Sequence, residues 1–279
     1  MSLRTLAAAA FAGALIAGAP PAMADDALKA AIAGPQRSAE HKARDEHRHP
    51  YETLTFWGLK PNQTVVEVSP GSGYWTEILA PYAKATGGTY VATAADLSNP
   101  NLPEAAKKAR AAFEAKYADE ATFGKIQYAG FGAQSGPLGR AGSADMVITA
   151  RNIHNWMWQP GMLDKAMKDF HAVLKPGGIL AVEEHRSDPQ PQVEGARDGY
   201  VSVANVVAAA EKAGFKLEAQ SEVNANPKDT KGHPFGVWTL PPSRRSSGEG
   251  KPALTEAERA KYDAIGESDR MTLRFRKPG

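Results

Sequence analysis

From Thr64 onward, short runs of β-branched and apolar residues alternate with longer stretches in which Ala, Leu, Met or Phe recurs every three or four positions. This alternation constrains the chain more than any other feature. It is the pattern of strand–helix–strand units, whose right-handed crossovers make successive strands parallel in one sheet. The runs predict strands at Thr64–Val68, Thr89–Thr93, Lys125–Ala129, Asp145–Thr149, Gly178–Glu183, Lys216–Glu222 and Met271–Phe275. The intervening spacing predicts helices at Tyr74–Lys84, Pro103–Tyr117, Met162–Leu174 and Val201–Ala213. The expected architecture is α/β: a seven-stranded Rossmann-like sheet, the first five strands parallel, with helices on both faces.

Three segments break the rhythm. Residues 1–24 have a positive start (MSLR), an Ala/Leu/Ile/Phe run and a small-x-small site ending at Ala24. That is the layout of a secretory signal peptide cleaved after Ala24, which implies a periplasmic or secreted protein. The apolar run is shorter than the roughly 20 residues a spanning helix needs, so no stable membrane insertion is expected after cleavage. Residues 25–60 include the charge- and His-dense stretch Gln36–Trp57, which also holds Tyr51, Leu54, Phe56 and Trp57. It is read as a helical lid over the main domain at 61–279, against the alternative of a solvated charged face. Asn224–Asp269, with Pro227, Pro234, Pro241, Pro242 and Pro252, reads as an insertion before the last strand. Within it Thr255-Glu256-Ala257-Glu258 is a capping box opening a helix that runs to about Ile265.

Lysine and arginine number 33 against 31 acids, a balance that leaves no broad cationic surface for a nucleic acid. Cysteine is absent, which removes disulfides, thiolate nucleophiles, iron–sulfur clusters and cysteine zinc sites. His47, His49, His154 and His185, with Glu183 or Glu184, have no compact metal-ligand spacing, so no metal is expected.

The strongest local signal runs from Thr64 to Leu79. An apolar strand carries Glu67, turns through Ser69-Pro70-Gly71-Ser72-Gly73, and enters a helix past Tyr74 and Trp75. Glycines allow a ligand to approach the backbone closely, and the helix that follows directs free N–H groups to the same place. A dinucleotide site would need a third glycine where Thr76 stands, and Glu67 would crowd a pyrophosphate. A ligand with a cationic amine suits Glu67 better.

On these residues the sequence resembles the class I S-adenosylmethionine-dependent methyltransferases from about Thr64 to Glu184, with the remaining strands matching in outline. Glu67, Gly71 and Gly73 fall on that family's first motif, Leu174-Lys175-Pro176-Gly177-Gly178-Ile179-Leu180 is similar to its turn before the fifth strand, and Gly214-Phe215 to its entry to the sixth. Arg44-Asp45, Arg48-His49-Pro50 and Glu52 are similar to a group of exported predicted methyltransferases. The resemblance implies S-adenosyl-L-methionine as cofactor, its methionine portion held at Glu67, Pro70, Gly71, Gly73 and Tyr74. It also implies Asp96 near the ribose, and Phe131 stacked on the adenine where the family often has an Asp.

The fourth strand ends in Thr149-Ala150-Arg151-Asn152-Ile153-His154-Asn155-Trp156, and the fifth in Glu183-Glu184-His185-Arg186. Strand carboxyl ends face the ligand in such folds. Arg151 is therefore placed with the cofactor, and Asn152, His154 and His185 as catalytic candidates, either histidine as base. The Asn-Pro-Pro-Tyr type sequence of base-methylating relatives is absent, which again argues against nucleic acid. The acceptor is expected to be a small molecule or an envelope protein, and the oligomeric state is not indicated. The alternative from another class is a non-catalytic periplasmic binding module that keeps the fold and binds the cofactor, its demethylated product or a related nucleoside.

Overall fold

The computed structural model describes residues 21–279, with side chains from residue 25. The expected leader lies outside the described residues up to position 20. The backbone of 21–24 is the first turn of α1 (Pro21–Ala33).

Three short helices follow: α2 (Ala39–Lys42), α3 (Asp45–Arg48) and α4 (Pro50–Trp57). The sheet segment then runs β1 (Thr64–Val68), α5 (Thr76–Thr86), β2 (Thr89–Ala94), α6 (Glu104–Lys116), α7 (Glu120–Phe123), β3 (Gln127–Gly130) and β4 (Ala144–Ala150). It continues with α8 (Ile153–Trp156), α9 (Met162–Val173), β5 (Leu174–His185), α10 (Val203–Lys212), β6 (Lys216–Ser221), α11 (Glu256–Asp263) and β7 (Arg270–Arg276). The seven strands form one sheet in the order β3-β2-β1-β4-β5-β7-β6. The first five are parallel, and β7 runs antiparallel between β5 and β6.

Both faces of the sheet are covered, which is why its central strands are continuous apolar runs. Alternation sends Val66, Val147, Leu180 and Leu273 into one core with Phe170 of α9 and Val206 of α10. Val65, Met146, Ile148 and Ala181 face the other core, with Leu28 of α1, Trp57 of α4 and Ile78 of α5. The N-terminal segment is thus part of the second core, and its charges are divided, with Glu40, Glu46 and Glu52 exposed. Arg37, His41, Arg48 and Thr53 are buried. Arg37 holds Asp45 through two nitrogens at 2.6 Å each, and Arg44 and Arg48 both reach Glu267 at 2.6 and 3.0 Å.

The expected helix at Tyr74 begins two residues later, because residues 70–75 form the turn that closes against β1. The third strand is shifted to Gln127–Gly130 by its pairing with Val91–Ala94 of β2. The fifth is longer than its apolar run, since Leu174 already pairs with Ala144 before a register shift and His185 pairs with Arg270 at the far end. In the insertion the capping box is present at Thr255 and Glu258. No described helix is long and apolar enough to cross a membrane.

Candidate active site

The carboxyl ends of β1, β4 and β5 open on a cavity of about 280 Å³. Its floor is Glu67, Val68, Ser69, Pro70, Gly71 and Ser72, its far wall Arg151, Asn152, His154 and His185, and its cover Trp238, Pro241, Pro242 and Ser268 from the insertion. Residues 25–57 contribute nothing to this lining. They support the wall from behind, with the Arg48 guanidinium 4.4 Å from the centre of the Tyr74 ring, and Tyr74 donating to Asp45 at 2.6 Å.

The turn after β1 is held in an unusual backbone path. Ser69, Gly71 and Gly73 all have positive φ, at 50°, 60° and 94°, a region only glycine enters freely. The Ser69 amide donates to Thr93 Oγ1 at 2.8 Å, which fixes the strained serine. The two glycines differ in purpose. A Cβ on Gly71 would meet nothing within 4 Å, so this residue faces open space, whereas a Cβ on Gly73 would lie 1.8 Å from the Tyr117 hydroxyl. Gly73 therefore makes room for the protein's own tyrosine, and it lies behind the cavity floor.

Glu67 is buried at the cavity floor. Its Oε2 accepts from Thr76 at 3.0 Å and from the Tyr90 hydroxyl, leaving Oε1 without a protein donor. Burial pushes its carboxyl up to about 7, against hydrogen bonds from Tyr90 and Thr76 that act the other way.

Arg151 also lines the cavity, in the left-handed region at φ 60°. Its amide donates to the Glu183 carbonyl at 2.8 Å, but its guanidinium has no hydrogen bond or ion pair among the described residues and its Nε is buried. Behind it, Arg44, Arg48 and Arg270 share Glu183 and Glu267. Four arginines thus surround two glutamates, and Arg48 leaves both Nη atoms buried without partners. Burial, then the charge of Arg151, draws the Arg48 guanidinium down to about 10. Glu267 is buried, which alone would raise it, yet Arg270, Arg48 and Arg151 hold it well below the carboxylate range. The excess positive charge at this wall calls for an anion.

His154 and His185 have rings 5.3 Å apart. The acids beside them are paired differently from what their adjacency in sequence suggests. Glu183 takes Arg270 at 2.7 Å. Glu184 Oε1 accepts from His154 Nδ1 at 3.0 Å and from the His185 amide at 2.8 Å, and Oε2 from the Ile153 amide at 2.6 Å and the His154 amide at 3.3 Å. An imidazole that donates from Nδ1 to a carboxylate carries its lone pair on Nε2. His185 Nδ1 instead meets Ser268 Oγ at 2.5 Å. Burial, then His154 and Arg151, holds His185 well below the ordinary histidine value, so it is uncharged at neutral pH.

Atoms of His154, Glu184 and His185 lie within 4.8 Å of one another, close enough to hold one cation. Both Glu184 oxygens are already engaged by four donors, and Arg151, Arg270 and Arg48 make the surroundings positive, so the cluster fits a carboxylate–histidine dyad better than a metal centre.

The remaining candidates fall elsewhere. Asn152 lines the cavity, but its Nδ2 is engaged by the Val68 carbonyl at 2.9 Å, tying β4 to β1. Asp96 lies outside the cavity and accepts from Ser98 at 2.7 Å. Phe131 is also outside it, stacked on Phe170 at 6.0 Å and edge-on to Trp156 at 5.6 Å. The sequence reading missed Ser268 and Trp238, since a proline-rich insertion carries no periodicity that would point them at a site.

Residues 66–182 match the family model for a methyltransferase domain. No curated protein matches the chain. Among solved structures it is similar to a SAM-dependent methyltransferase from Aquifex aeolicus, 19% identical with a TM-score of 0.50, covering 72% of this chain and 93% of that one. A SAM-dependent methyltransferase from Methanosarcina mazei is 12% identical with a TM-score of 0.50, covering 81% and 96%. The cyclase SpnF is 16% identical with a TM-score of 0.53, covering 92% and 94%. These likenesses show the Rossmann-like methyltransferase fold.

Proposed function

We propose that this chain, which carries a methyltransferase domain on a class I methyltransferase fold, binds S-adenosyl-L-methionine and transfers its methyl group to a small molecule. The observation that carries the reading is one cavity lined by both a carboxyl and a free guanidinium. Glu67 with its free Oε1, Arg151 with a guanidinium that has no partner among the described residues, and Gly71 with open space where a Cβ would stand all line it. That arrangement is complementary to a zwitterion, an ammonium toward Glu67 and a carboxylate toward Arg151. When bound, the cofactor supplies a sulfonium methyl, an electrophile that needs no metal or redox partner.

The protein's own contribution is mostly positional. Methyl transfer is an in-line displacement, and well-oriented reactants gain effective molarities on the order of 10⁵ M or more. Trp75, Tyr74 and Trp238 line the cavity, and a ligand that displaces its water strengthens each charge contact within it. Glu184 orients His154 so that Nε2 is the basic atom, able to take a proton from an acceptor that arrives protonated.

Titration calorimetry with S-adenosylmethionine and S-adenosylhomocysteine tests the reading. Micromolar binding of both is expected, with a loss of tenfold or more in Arg151→Gln, about the value of one charge-assisted contact. Absence of binding by the intact chain would overturn it. Binding with no methylated product from an envelope extract, followed by mass spectrometry, would instead mark a binding module. We further propose export, which N-terminal sequencing of the protein recovered from the envelope would test by showing Asp25 as the first residue.

A further inference from the structure

A second hollow opens beside the cavity. It measures about 430 Å³ and is lined by Trp158, Arg197, Trp238, Ser243 and Arg245. Trp238 and Ser243 belong to both spaces, so the groove and the inner cavity share a wall. His154 stands at that junction, its ring 5.9 Å from Trp158 and 5.9 Å from Trp238.

The chemistry of this groove is specific. Two indoles 5.7 Å apart and tilted by 53° form its apolar wall, and the Trp158 indole is fixed by its N–H donating to the Ala196 carbonyl at 3.3 Å. Both arginines are exposed, and neither makes an ion pair among the described residues. Their neighbours behave differently: Arg244 and Arg259 both hold Asp263, and Arg186 holds Asp269 and Glu222. No acid lines the groove. Arg197 sits 6.0 Å over the Trp158 ring, so a cation and an indole stand together in the groove.

We propose that this groove binds the methyl acceptor and that the acceptor is an aromatic compound carrying an anionic group, its ring against Trp158 and Trp238 and its anion toward Arg197 and Arg245. The inference rests on the methyltransferase reading and deepens it. The two ligands are then sorted by two separate cationic points, Arg151 for the cofactor's carboxylate and the outer pair for the acceptor's. The ring places a hydroxyl substituent at the His154 end. There the oxygen attacks the methyl carbon, the carbon–sulfur bond breaks with its electron pair retained by sulfur, and the hydroxyl proton passes to His154 Nε2. A neutral aliphatic acceptor would leave both arginines idle and gain nothing from the indole faces.

The test uses the full chain and three probes: para-hydroxybenzoate, its methyl ester, and cyclohexanecarboxylate. Each is titrated with and without saturating S-adenosylhomocysteine, following the indole N–H signals of Trp158 and Trp238 by NMR. Para-hydroxybenzoate is expected to bind roughly tenfold tighter than either of the other two, the ester lacking the charge and the saturated acid lacking the ring. Arg197→Gln with Arg245→Gln is expected to reduce its affinity to that of the ester while leaving the dissociation constant of S-adenosylhomocysteine unchanged. Trp238→Leu is expected to weaken both aromatic probes. Equal affinities for all three, or indifference to the double substitution, would overturn the proposal. If S-adenosylhomocysteine fails to bind while the groove keeps its selectivity, the methyltransferase reading falls and the acceptor role with it, and the groove is left as an aromatic-anion site.

Discussion

Glu67 is the residue whose chemistry is most exposed to test. Its carboxyl is raised from 4.5 to about 7 by burial. An acid raised in the folded state costs stability once it ionises, so the unliganded protein should lose about 3 kcal/mol between pH 4.5 and 7, full above pH 7, at 1.36 kcal/mol per unit. Glu67→Gln should flatten that slope in urea unfolding measured across pH. The same substitution should weaken S-adenosylhomocysteine most at pH 8, where the native carboxylate can meet an ammonium. His154→Asn is expected to lower kcat by about 10²- to 10⁴-fold, without shifting cofactor affinity in calorimetry, if the nucleophile arrives protonated. The two glycines separate by mechanism. Gly73→Ala collides with Tyr117 at 1.8 Å and should lower Tm sharply, by several degrees or more. Gly71→Ala should lower it less, because only the backbone at φ 60° resists, while obstructing the ligand.

At the scale of elements, the strands were legible because their residues face two cores, and Thr64–Val68 is bounded in the structure as its apolar run predicts. The capping box of α11 was legible for the same local reason, a side chain bonding its own backbone. What sequence could not give was any contact set by long-range closure. His154 and His185 could be singled out at strand ends, but Glu184 pairs with the former, and Ser268, distant in sequence, with the latter. Tyr117 filling the space over Gly73 likewise has no local signature. Nor does the sharing of Glu267 by α3, through Arg48, and by β7, through Arg270. Glu267→Gln should cost about 3–5 kcal/mol in chemical denaturation, since it strands the buried Arg48 guanidinium, which has no other ion pair among the described residues. Replacing Arg44, which is partly accessible, should cost less.

For the whole molecule, the pH profile of stability combines opposed contributions. Glu267, held far below its ordinary range, stabilises the fold above pH 4.5, and that contribution fades as acid protonates the unfolded chain and then the folded one. Glu67 works in the other direction above pH 4.5. Stability should therefore climb from strongly acidic solution and flatten above about pH 5, where the cost of ionising Glu67 meets the opposite gain from His185, held well below its ordinary range, a curve that thermal melts across pH can trace. The cover of the cavity and the returning strand β7 come from the same stretch of chain, so changes in the insertion should affect melting and ligand affinity together.

The pairing of Arg44 and Arg48 with Glu267 spans 223 and 219 positions, and this separation governs timing as well as strength. As the polypeptide emerges during synthesis, Arg37 can pair early with Asp45, but Arg44 and Arg48 have no counter-charge until Glu267 has been made. The pocket is thereby completed only after Glu267 and Ser268 have been made and have reached it.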